Sequence, residues 1–317
     1  MNVFSMFSGI GGFELGLARS RLDHQLVGFS EVDKFAISIY EEKFEGVKNY
    51  GDATNIRGDE LPDFGLLVAG FPCQSFSVAG KGRGFDETRG TLFFEIARIC
   101  AEKKPRYVLL ENVAGLLSND GGKTFQTILG VLADLGYGVE WQVLNSKNFG
   151  VPQNRDRVFI VGHLGNRSKH QIFPLTESSG ISHVRPPKIA SALQHPGHSG
   201  ENYRGMTLIQ TDQKVPAIPV SGVIREQKSQ NGRRFKDDGD PSFTLTGQDV
   251  HGVLLSDNRI RRLTPTECER LQGFPDGWTK GLSDTQRYKT LGNAVTVNVV
   301  EAVINQIADS MISKLAD

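Results

Sequence analysis

The sequence predicts an α/β fold, and two patterns along the chain predict it. In residues 1–164, short apolar runs alternate with stretches in which apolar residues recur every three or four positions. That alternation is typical of strands connected by helices that cover both faces of a parallel sheet. From about residue 165 to residue 257, the helical spacing disappears and Pro, Gly, Ser, His and Gln become frequent. The second pattern indicates a smaller, loop-rich lobe.

The individual elements follow from the spacing of apolar residues. Five short runs are predicted to be strands, namely residues 3–7, 26–29, 66–69, 107–110 and 158–161. Residues 91–103 and 124–135 have helical spacing, and residues 242–246 are a β-prone piece of the lobe. A helix is predicted over residues 264–271, where Thr264, Pro265 and Glu267 supply an N-cap, an N1 proline and a first-turn acid.

A long amphipathic helix is predicted from about Val295 to the end of the chain. We therefore expect three parts. Residues 1–164 form the domain built on the sheet, residues 165–257 form the inserted lobe, and residues 258–317 are C-terminal helices that complete the first domain.

The cysteines and the charges narrow the class of protein. Cys73, Cys100 and Cys268 lie far apart without any Cys-x-x-Cys pair, which argues against a disulfide framework and a zinc site, so no metal is expected. No signal peptide and no run of about eighteen apolar residues is present, which predicts a cytoplasmic protein with no membrane partner. The net charge is zero, but residues 165–262 carry 14 Lys and Arg against nine Asp and Glu. Such a local excess can bind nucleic acid although the whole chain is neutral.

A glycine-rich turn follows the first predicted strand, in the sequence Phe-Ser-Gly-Ile-Gly-Gly-Phe-Glu over residues 7–14. Glycines where a strand turns into a helix allow the backbone to approach a nucleoside. A dinucleotide site would need a third glycine where Glu14 stands, and a carboxylate there would oppose a pyrophosphate. The turn therefore favours an adenosyl ligand without phosphate, the alternative being a tight turn that binds nothing.

Two acidic residues follow at positions where nucleotides are bound in such sheets. Glu31, after the second strand, could accept hydrogen bonds from both ribose hydroxyls, and Asp52 could accept one from an adenine amino group. Taken separately, each could equally be a solvated loop acid.

Cys73 and Glu111 are the candidate chemical groups. Cys73 stands in Gly-Phe-Pro-Cys-Gln-Ser, directly after a buried strand, and Glu111 follows the next strand, so both belong at the carboxyl edge of the sheet. A thiolate is a nucleophile and a carboxyl group can protonate a ring nitrogen. The alternatives are a buried apolar cysteine and a helix-capping acid.

Residues 153–157, Gln-Asn-Arg-Asp-Arg, place Arg155 and Arg157 at alternate positions before another strand. On an extended chain their side chains point the same way and could grip a phosphate or a base carbonyl. The alternative is a solvated charged turn.

These motifs, in this order and with Gly292-Asn293-Ala294-Val295 near the end, closely resemble the bacterial cytosine-5 DNA methyltransferases. The resemblance covers nearly the whole chain outside residues 165–257. It implies a Rossmann-like, S-adenosylmethionine-dependent methyltransferase sheet with a target-recognition lobe. The implied reaction takes a methyl group from S-adenosylmethionine, leaves S-adenosylhomocysteine, and modifies carbon 5 of a cytosine flipped out of double-stranded DNA.

The resemblance also assigns roles. It implies that Cys73 is the nucleophile, Glu111 the acid at ring nitrogen 3, Arg157 a contact of the cytosine carbonyl, and Arg155 a residue that steadies the site or a phosphate. The positions that match the cofactor pocket are Phe7, Ile10, Gly12, Glu31, Asp52, Pro72, Leu92 and Asn293. Residues 74–89 match a mobile loop that closes over DNA, with candidate contacts at Gln74, Ser77, Lys81, Arg83 and Arg89. In the lobe the candidate DNA contacts are Arg233, Arg234 and Thr244.

Two departures affect the cofactor pocket, since Val32 stands where many relatives carry an aromatic residue and Ala294 where serine is frequent. The enzyme is expected to be a monomer near the bacterial nucleoid, with at most a functional partnership with a restriction endonuclease. Three alternatives stay open at this point: a tRNA cytosine methylase, a protein that flips cytosine without turnover, and an NAD-dependent dehydrogenase.

Overall fold

The computed structural model of the protein describes residues 1–72, 92–165, 171–175, 218–221, 235–237, 239–254 and 260–312. Its strands are β1 (Asn2–Met6), β2 (Gln25–Ser30), β3 (Leu66–Gly70), β4 (Tyr107–Val113), β5 (Tyr137–Asn145), β6 (Asp156–Leu164), β7 (Ile218–Ser221), β8 (His251–Leu254) and β9 (Ile260–Arg262). Its α-helices are α1 (Gly12–Arg19), α2 (Lys34–Lys43), α3 (Leu92–Lys103), α4 (Lys123–Asp134), α5 (Pro265–Leu271), α6 (Asp284–Asn293) and α7 (Val297–Ile312).

A six-stranded sheet has the order β2-β1-β3-β4-β6-β5. Strands β2, β1, β3 and β4 pair in parallel, with Met6 opposite Ala69 and Gly70 opposite Glu111. The expectation of a parallel sheet was wrong for β6, which runs antiparallel to β4. The predicted set of strands also lacked β5. This edge strand has a mixed, largely half-exposed pattern and so lacks the continuous apolar run of a strand buried on both faces.

The central strands are buried on both faces. All of β3 except Gly70 is buried, as is all of β4 except Val113. One face packs on α3 and α4, where Phe93, Ile96 and Ile128 join the same apolar cluster as Leu67 and Leu110. This double burial explains why the five predicted runs read as nearly continuous apolar sequence.

Helix boundaries follow local sequence. The predicted start of α5 is confirmed as a capping box, in which Thr264 and Glu267 each accept a hydrogen bond from the other's backbone N–H. In α1, Gly16 lies against α7, so that an added Cβ would stand 2.5 Å from Cγ1 of Val300. The absence of a side chain at Gly16 therefore sets how closely these two helices pack.

The chain divides into two compact units. Unit 1 comprises Met1–Leu144, Asp156–Ser179 and Val299–Asp317, and unit 2 comprises Asn145–Arg155 and Gly180–Asn298. Unit 1 carries the six-stranded sheet, and unit 2 carries the sheet of order β7-β8-β9. The contacts thus group α5 and α6 with the second unit, whereas residues 258–317 were expected to complete the first domain.

The grouping of unit 2 has a local cause. Side-chain amides of Gln153 and Gln272 donate to the carbonyl oxygens of Leu271 and Leu291, at 2.8 Å each. The piece at residues 242–246 forms no strand, and Ser242 makes only an isolated parallel bridge to Gln153. Among the described residues, none of the helices is both long and apolar enough to cross a membrane.

Candidate active site

The carboxyl ends of β1, β3 and β4 meet at one edge of the unit 1 sheet. Their register places Met6 beside Ala69, and Gly70 beside Glu111. The chain after β1 and after β3, at Phe7 and Phe71, therefore leaves the sheet at the same edge, whereas β4 continues through Asn112 to Val113. Ligands of open α/β sheets bind outside this edge.

The glycine-rich turn after β1 has an unusual backbone. Phe7, Gly9 and Gly11 have φ values of 55°, 56° and 84°. Gly11 is the N-cap of α1, and a Cβ at this position would collide with the ring of Phe44. The side chain of Ile10 is buried, so Ile10 and Gly12 can reach a ligand only through backbone atoms.

Glu31 holds this turn in place. Its Oε2 accepts from Gly9 N at 2.8 Å, and its Oε1 accepts from Val32 N at 2.8 Å and Asp33 N at 2.9 Å. A carboxylate offers about four acceptor sites, so Glu31 keeps capacity for about one more donor. The expectation that both ribose hydroxyls bind it would require one oxygen site to be shared.

Asn49 links the backbone of Glu31 to that of Gly51, the residue before Asp52, and no sequence pattern predicts this role. Its Oδ1 accepts from Glu31 N at 3.3 Å and from Gly51 N at 2.9 Å, while its Nδ2 donates to Glu31 O at 3.2 Å. Asp52, which follows Gly51 in the sequence, accepts at Oδ1 from the Thr54 backbone N–H and hydroxyl. These bonds hold the pKa of Asp52 below its usual range and leave Oδ2 available as an acceptor.

Glu14 does not face the turn, which corrects the argument that its carboxylate would oppose a pyrophosphate there. The residue is 0% exposed, and its Oε1 accepts from the Tyr40 hydroxyl at 3.0 Å. Burial raises the pKa of Glu14 to about 7. Sequence position alone could not show that this side chain turns into the core.

Glu111 and Arg157 come together in unit 1. Arg157 Nε lies 2.9 Å from Glu111 Oε1, and both side chains keep a small exposed fraction. The antiparallel register of β4 and β6 places Arg157 opposite Val113. Gly70 lies beside this carboxyl group, since an added Cβ would stand 3.6 Å from Glu111 Oε2 in ordinary van der Waals contact. Arg157 also donates from Nη1 to the carbonyl oxygen of Asp156 at 2.9 Å, so the pair combines a carboxyl group with a guanidinium that has up to about three further N–H donors.

Asn112, next to Glu111, is buried and donates from Nδ2 to Phe71 O at 2.9 Å. No spacing in the sequence indicates the partner of Asn112.

Arg155 has different partners from Arg157, and a contact of either side chain with substrate or phosphate stays a prediction. Arg155 is 1% exposed and belongs to unit 2, where it donates to Leu245 O at 2.7 Å, Ala294 O at 2.8 Å and Gly292 O at 3.2 Å. A guanidinium committed to three backbone carbonyls is a structural group.

The remaining predicted residues have different surroundings. Pro72 and Val32 are exposed, Val32 by 67%, and Leu92 begins α3. Asn293 ends α6 in unit 2, where Gly247 gives it room. The Thr244 hydroxyl donates to Asn154 O at 2.6 Å. Eight predicted residues lie outside the described residues: Cys73, Gln74, Ser77, Lys81, Arg83, Arg89, Arg233 and Arg234.

In the part of the chain that the structure describes, no group of three or more His, Cys, Asp and Glu side chains could hold a metal ion. The arrangement that is described therefore consists of acceptors around a glycine-rich turn and a carboxyl–guanidinium pair at the neighbouring strand end.

Comparisons with known proteins give the family of the chain. The family model described as C-5 cytosine-specific DNA methylase matches residues 1–309. The orphan methyltransferase M.SPRI of Bacillus phage SPR is 31% identical over 433 aligned residues, covering 99% of both chains. The type II methyltransferase M.NgoBI of Neisseria gonorrhoeae is 38% identical, covering 94% of this chain and 90% of its own.

Among solved structures, the S. pombe Dnmt2 methyltransferase superposes with a TM-score of 0.71 at 19% identity, covering 98% of this chain and 99% of its own. At that identity the superposition shows the fold alone, a Rossmann-like α/β sheet. The family match over residues 1–309, together with relatives above 30% identity along nearly the full length, decides the assignment. The chain belongs to the C-5 cytosine-specific DNA methylase family, and its activity is methylation of cytosine in DNA.

Proposed function

We propose that this chain transfers a methyl group from S-adenosylmethionine to carbon 5 of a cytosine extruded from double-stranded DNA, with Cys73 as nucleophile. The observation that carries the proposal is the Glu111–Arg157 pair at the end of β4. Gly70, opposite Glu111 in the β3–β4 register, stands three residues before Cys73. The acid and the cation thus lie at the sheet edge where β3, the strand that precedes Cys73 in sequence, also ends.

The residues around the glycine-rich turn fit S-adenosylmethionine. Glu31 would accept from the ribose, Asp52 Oδ2 from the adenine amino group, and the backbone of residues 7–12 would line the nucleoside. Pro72, Leu92 and Asn293 are proposed contacts on the strength of the family resemblance. When bound, the cofactor supplies an electrophilic methyl group on a sulfonium, and S-adenosylhomocysteine is released. No metal takes part in this scheme.

Carbon 5 of cytosine is a poor nucleophile, so methyl transfer requires that side chains of the enzyme activate the ring. The Cys73 thiolate adds to carbon 6 while Glu111 donates a hydrogen bond or proton at ring nitrogen 3. Arg157 keeps donors free for the carbonyl at carbon 2 and holds Glu111 through its Nε. Carbon 5 then carries enough electron density to accept the methyl group, and loss of the carbon 5 proton expels Cys73.

Extrusion of the base costs a few kcal/mol and is offset by contacts in the pocket and by closure of a loop. We assign the loop contacts to Gln74, Ser77, Lys81, Arg83 and Arg89, and contacts of the lobe to Arg233, Arg234 and Thr244. Both orphan and type II methyltransferases occur among the relatives, so the enzyme works either beside a restriction endonuclease or alone.

The test measures transfer of labelled methyl groups from S-adenosylmethionine to plasmid DNA and, separately, to tRNA. DNA labelling by the wild type is expected, and Cys73→Ser should abolish it, since a hydroxyl is far less acidic than a thiol. DNA binding by the variant should stay within about tenfold of wild type. Labelling of tRNA alone, or turnover by Cys73→Ser within about tenfold of wild type, would overturn the proposal.

A further inference from the structure

We infer that Asn112 is a positioning residue for the nucleophile: it fixes the backbone from which Cys73 is presented. The inference rests on the proposed function of Cys73. Asn112 is 2% exposed, and its Nδ2 donates to Phe71 O at 2.9 Å. Phe71 is two residues before Cys73 in the sequence. The β3–β4 ladder ends at Gly70 and Glu111, so this side-chain bond extends the connection between the two strands one residue further.

The orientation of the Asn112 amide is fixed from both ends. Its Oδ1 accepts from Val113 N at 2.8 Å, while its Nδ2 makes the bond to Phe71 O. Rotating the amide by 180° would put an oxygen against a carbonyl oxygen and a nitrogen against an N–H group. Both bonds would be lost together, so this assignment of the amide is the one that the surroundings permit.

The chain between Phe71 and Cys73 has little freedom once the Phe71 carbonyl is held. Pro72 locks its own φ near −65°, and a residue that precedes proline is restricted to extended conformations. Phe71 is also buried, with its ring 5.7 Å from that of Phe93. One hydrogen bond at Phe71 O therefore limits the directions in which the chain reaches Cys73.

Two neighbouring residues at the end of β4 thus have different partners in the site. Side chains at 111 and 112 point to opposite faces of β4: Glu111 contacts Arg157, whereas Asn112 holds Phe71 O. A displacement of β4 would move the Glu111 carboxyl group and the Phe71 carbonyl group together. This coupling gives Asn112 a role that a buried apolar residue of similar size could not fill.

The test compares wild type with Asn112→Asp, which keeps the acceptor for Val113 N–H but removes the donor to Phe71 O. Asn112→Ser is a second, neutral variant in case the aspartate prevents folding. Asn298→Asp is the matched control, because Asn298 Nδ2 also donates to a backbone carbonyl, Phe149 O, at 2.8 Å. The measurements are the rate of adduct formation on duplex DNA containing 5-fluorocytosine, the affinity for S-adenosylmethionine, and Tm.

For Asn112→Asp and Asn112→Ser we expect adduct formation and methyl transfer to slow by the same factor, about tenfold to a hundredfold. Affinity for S-adenosylmethionine should stay within about twofold in both. Asn298→Asp should change Tm but not the rate per folded molecule. Adduct formation at the wild-type rate in either folded Asn112 variant would overturn the inference. Absence of any adduct with active wild-type enzyme would instead overturn the proposed role of Cys73.

Discussion

At the scale of single residues, Arg155 and Arg157 differ in what they hold. Arg155 is buried against three carbonyl oxygens, whereas Arg157 pairs with Glu111 and keeps part of its guanidinium accessible. Two arginines that are nearly adjacent in sequence should therefore fail in different ways when replaced.

Replacing Arg155 by Met should lower the free energy of unfolding by about 3 kcal/mol, because buried carbonyls lose their donors. Arg157→Met should cost less stability but reduce methyl transfer at least about a hundredfold. Urea unfolding and methyl transfer per folded molecule measure the two effects. If Arg155→Met unfolds like wild type and loses only activity, Arg155 acts on the substrate and its structural assignment is wrong.

Glu14 makes stability depend on pH. Burial raises its pKa from 4.5 to about 7 in the folded state, so the folded protein keeps a proton that the unfolded chain releases above about 4.5. The stabilisation is complete below the unfolded pKa and is lost as pH rises to about 7. A shift of this size corresponds to about 3 kcal/mol.

Urea unfolding of wild type and Glu14→Gln at pH 5 and pH 8 isolates this contribution. Glutamine can accept the Tyr40 hydroxyl as the carboxyl does, but it does not titrate. The wild type should lose about 2–3 kcal/mol more than the variant between these pH values, because a small part of the effect is already lost at pH 5. Parallel pH dependence of the two proteins would show that Glu14 does not titrate in this range.

At the scale of elements, two helical glycines differ in their surroundings. A Cβ at Gly16 of α1 would meet Val300 Cγ1 at 2.5 Å and Glu301 N at 3.2 Å, whereas nothing lies within 4 Å of one at Gly130 of α4. Gly16→Ala should destabilise the protein by about 1–3 kcal/mol through overpacking. Gly130→Ala should stabilise it by about 0.4–1 kcal/mol.

Thermal unfolding of both variants checks this contrast, with the wild type as reference. An increase in Tm for Gly16→Ala would mean that α7 moves away from α1 at no cost, contrary to the close contact.

The elements also show what a sequence can and cannot reveal. Strands β1, β3 and β4 were predictable because strands buried on both faces are continuously apolar, and α5 because its capping residues are local. Strand β5 and the reversed direction of β6 depend on pairing across the sheet, which leaves no local trace. Likewise Glu111 and Arg157 follow from motifs, but the roles of Asn49 and Asn112 depend on carbonyl and N–H groups elsewhere in the chain.

At the scale of the whole molecule, the basic excess of residues 165–262 should be visible in the salt dependence of DNA binding. If Arg233 or Arg234 contacts a phosphate, its replacement by Ala should weaken binding to all DNA and lower the salt slope by about one. If it contacts a base, the loss should be about 1–3 kcal/mol at one position of the target. The two cases are separated by measuring affinity between about 50 and 200 mM salt on specific and unrelated duplexes. Over that range about six to ten phosphate contacts together change the affinity by about 10³ or more. Wild-type affinity and slope in both variants would exclude these residues from the interface.

The hydrogen bonds that hold residues 242–245 against residues 152–155 have a consequence for transferring target specificity between relatives. Ser242 N donates to Pro152 O at 2.7 Å, Leu245 N donates to Gln153 Oε1 at 2.8 Å, and Leu245 O receives Arg155. An exchange of all of residues 165–257 would therefore replace residues 242–245, and with them these hydrogen bonds, together with any residues that contact the target bases. If residues 165–257 select the target sequence, a graft that ends just before residue 242 would leave host residues on both sides of every one of these bonds, and this is the junction at which the foreign segment should join.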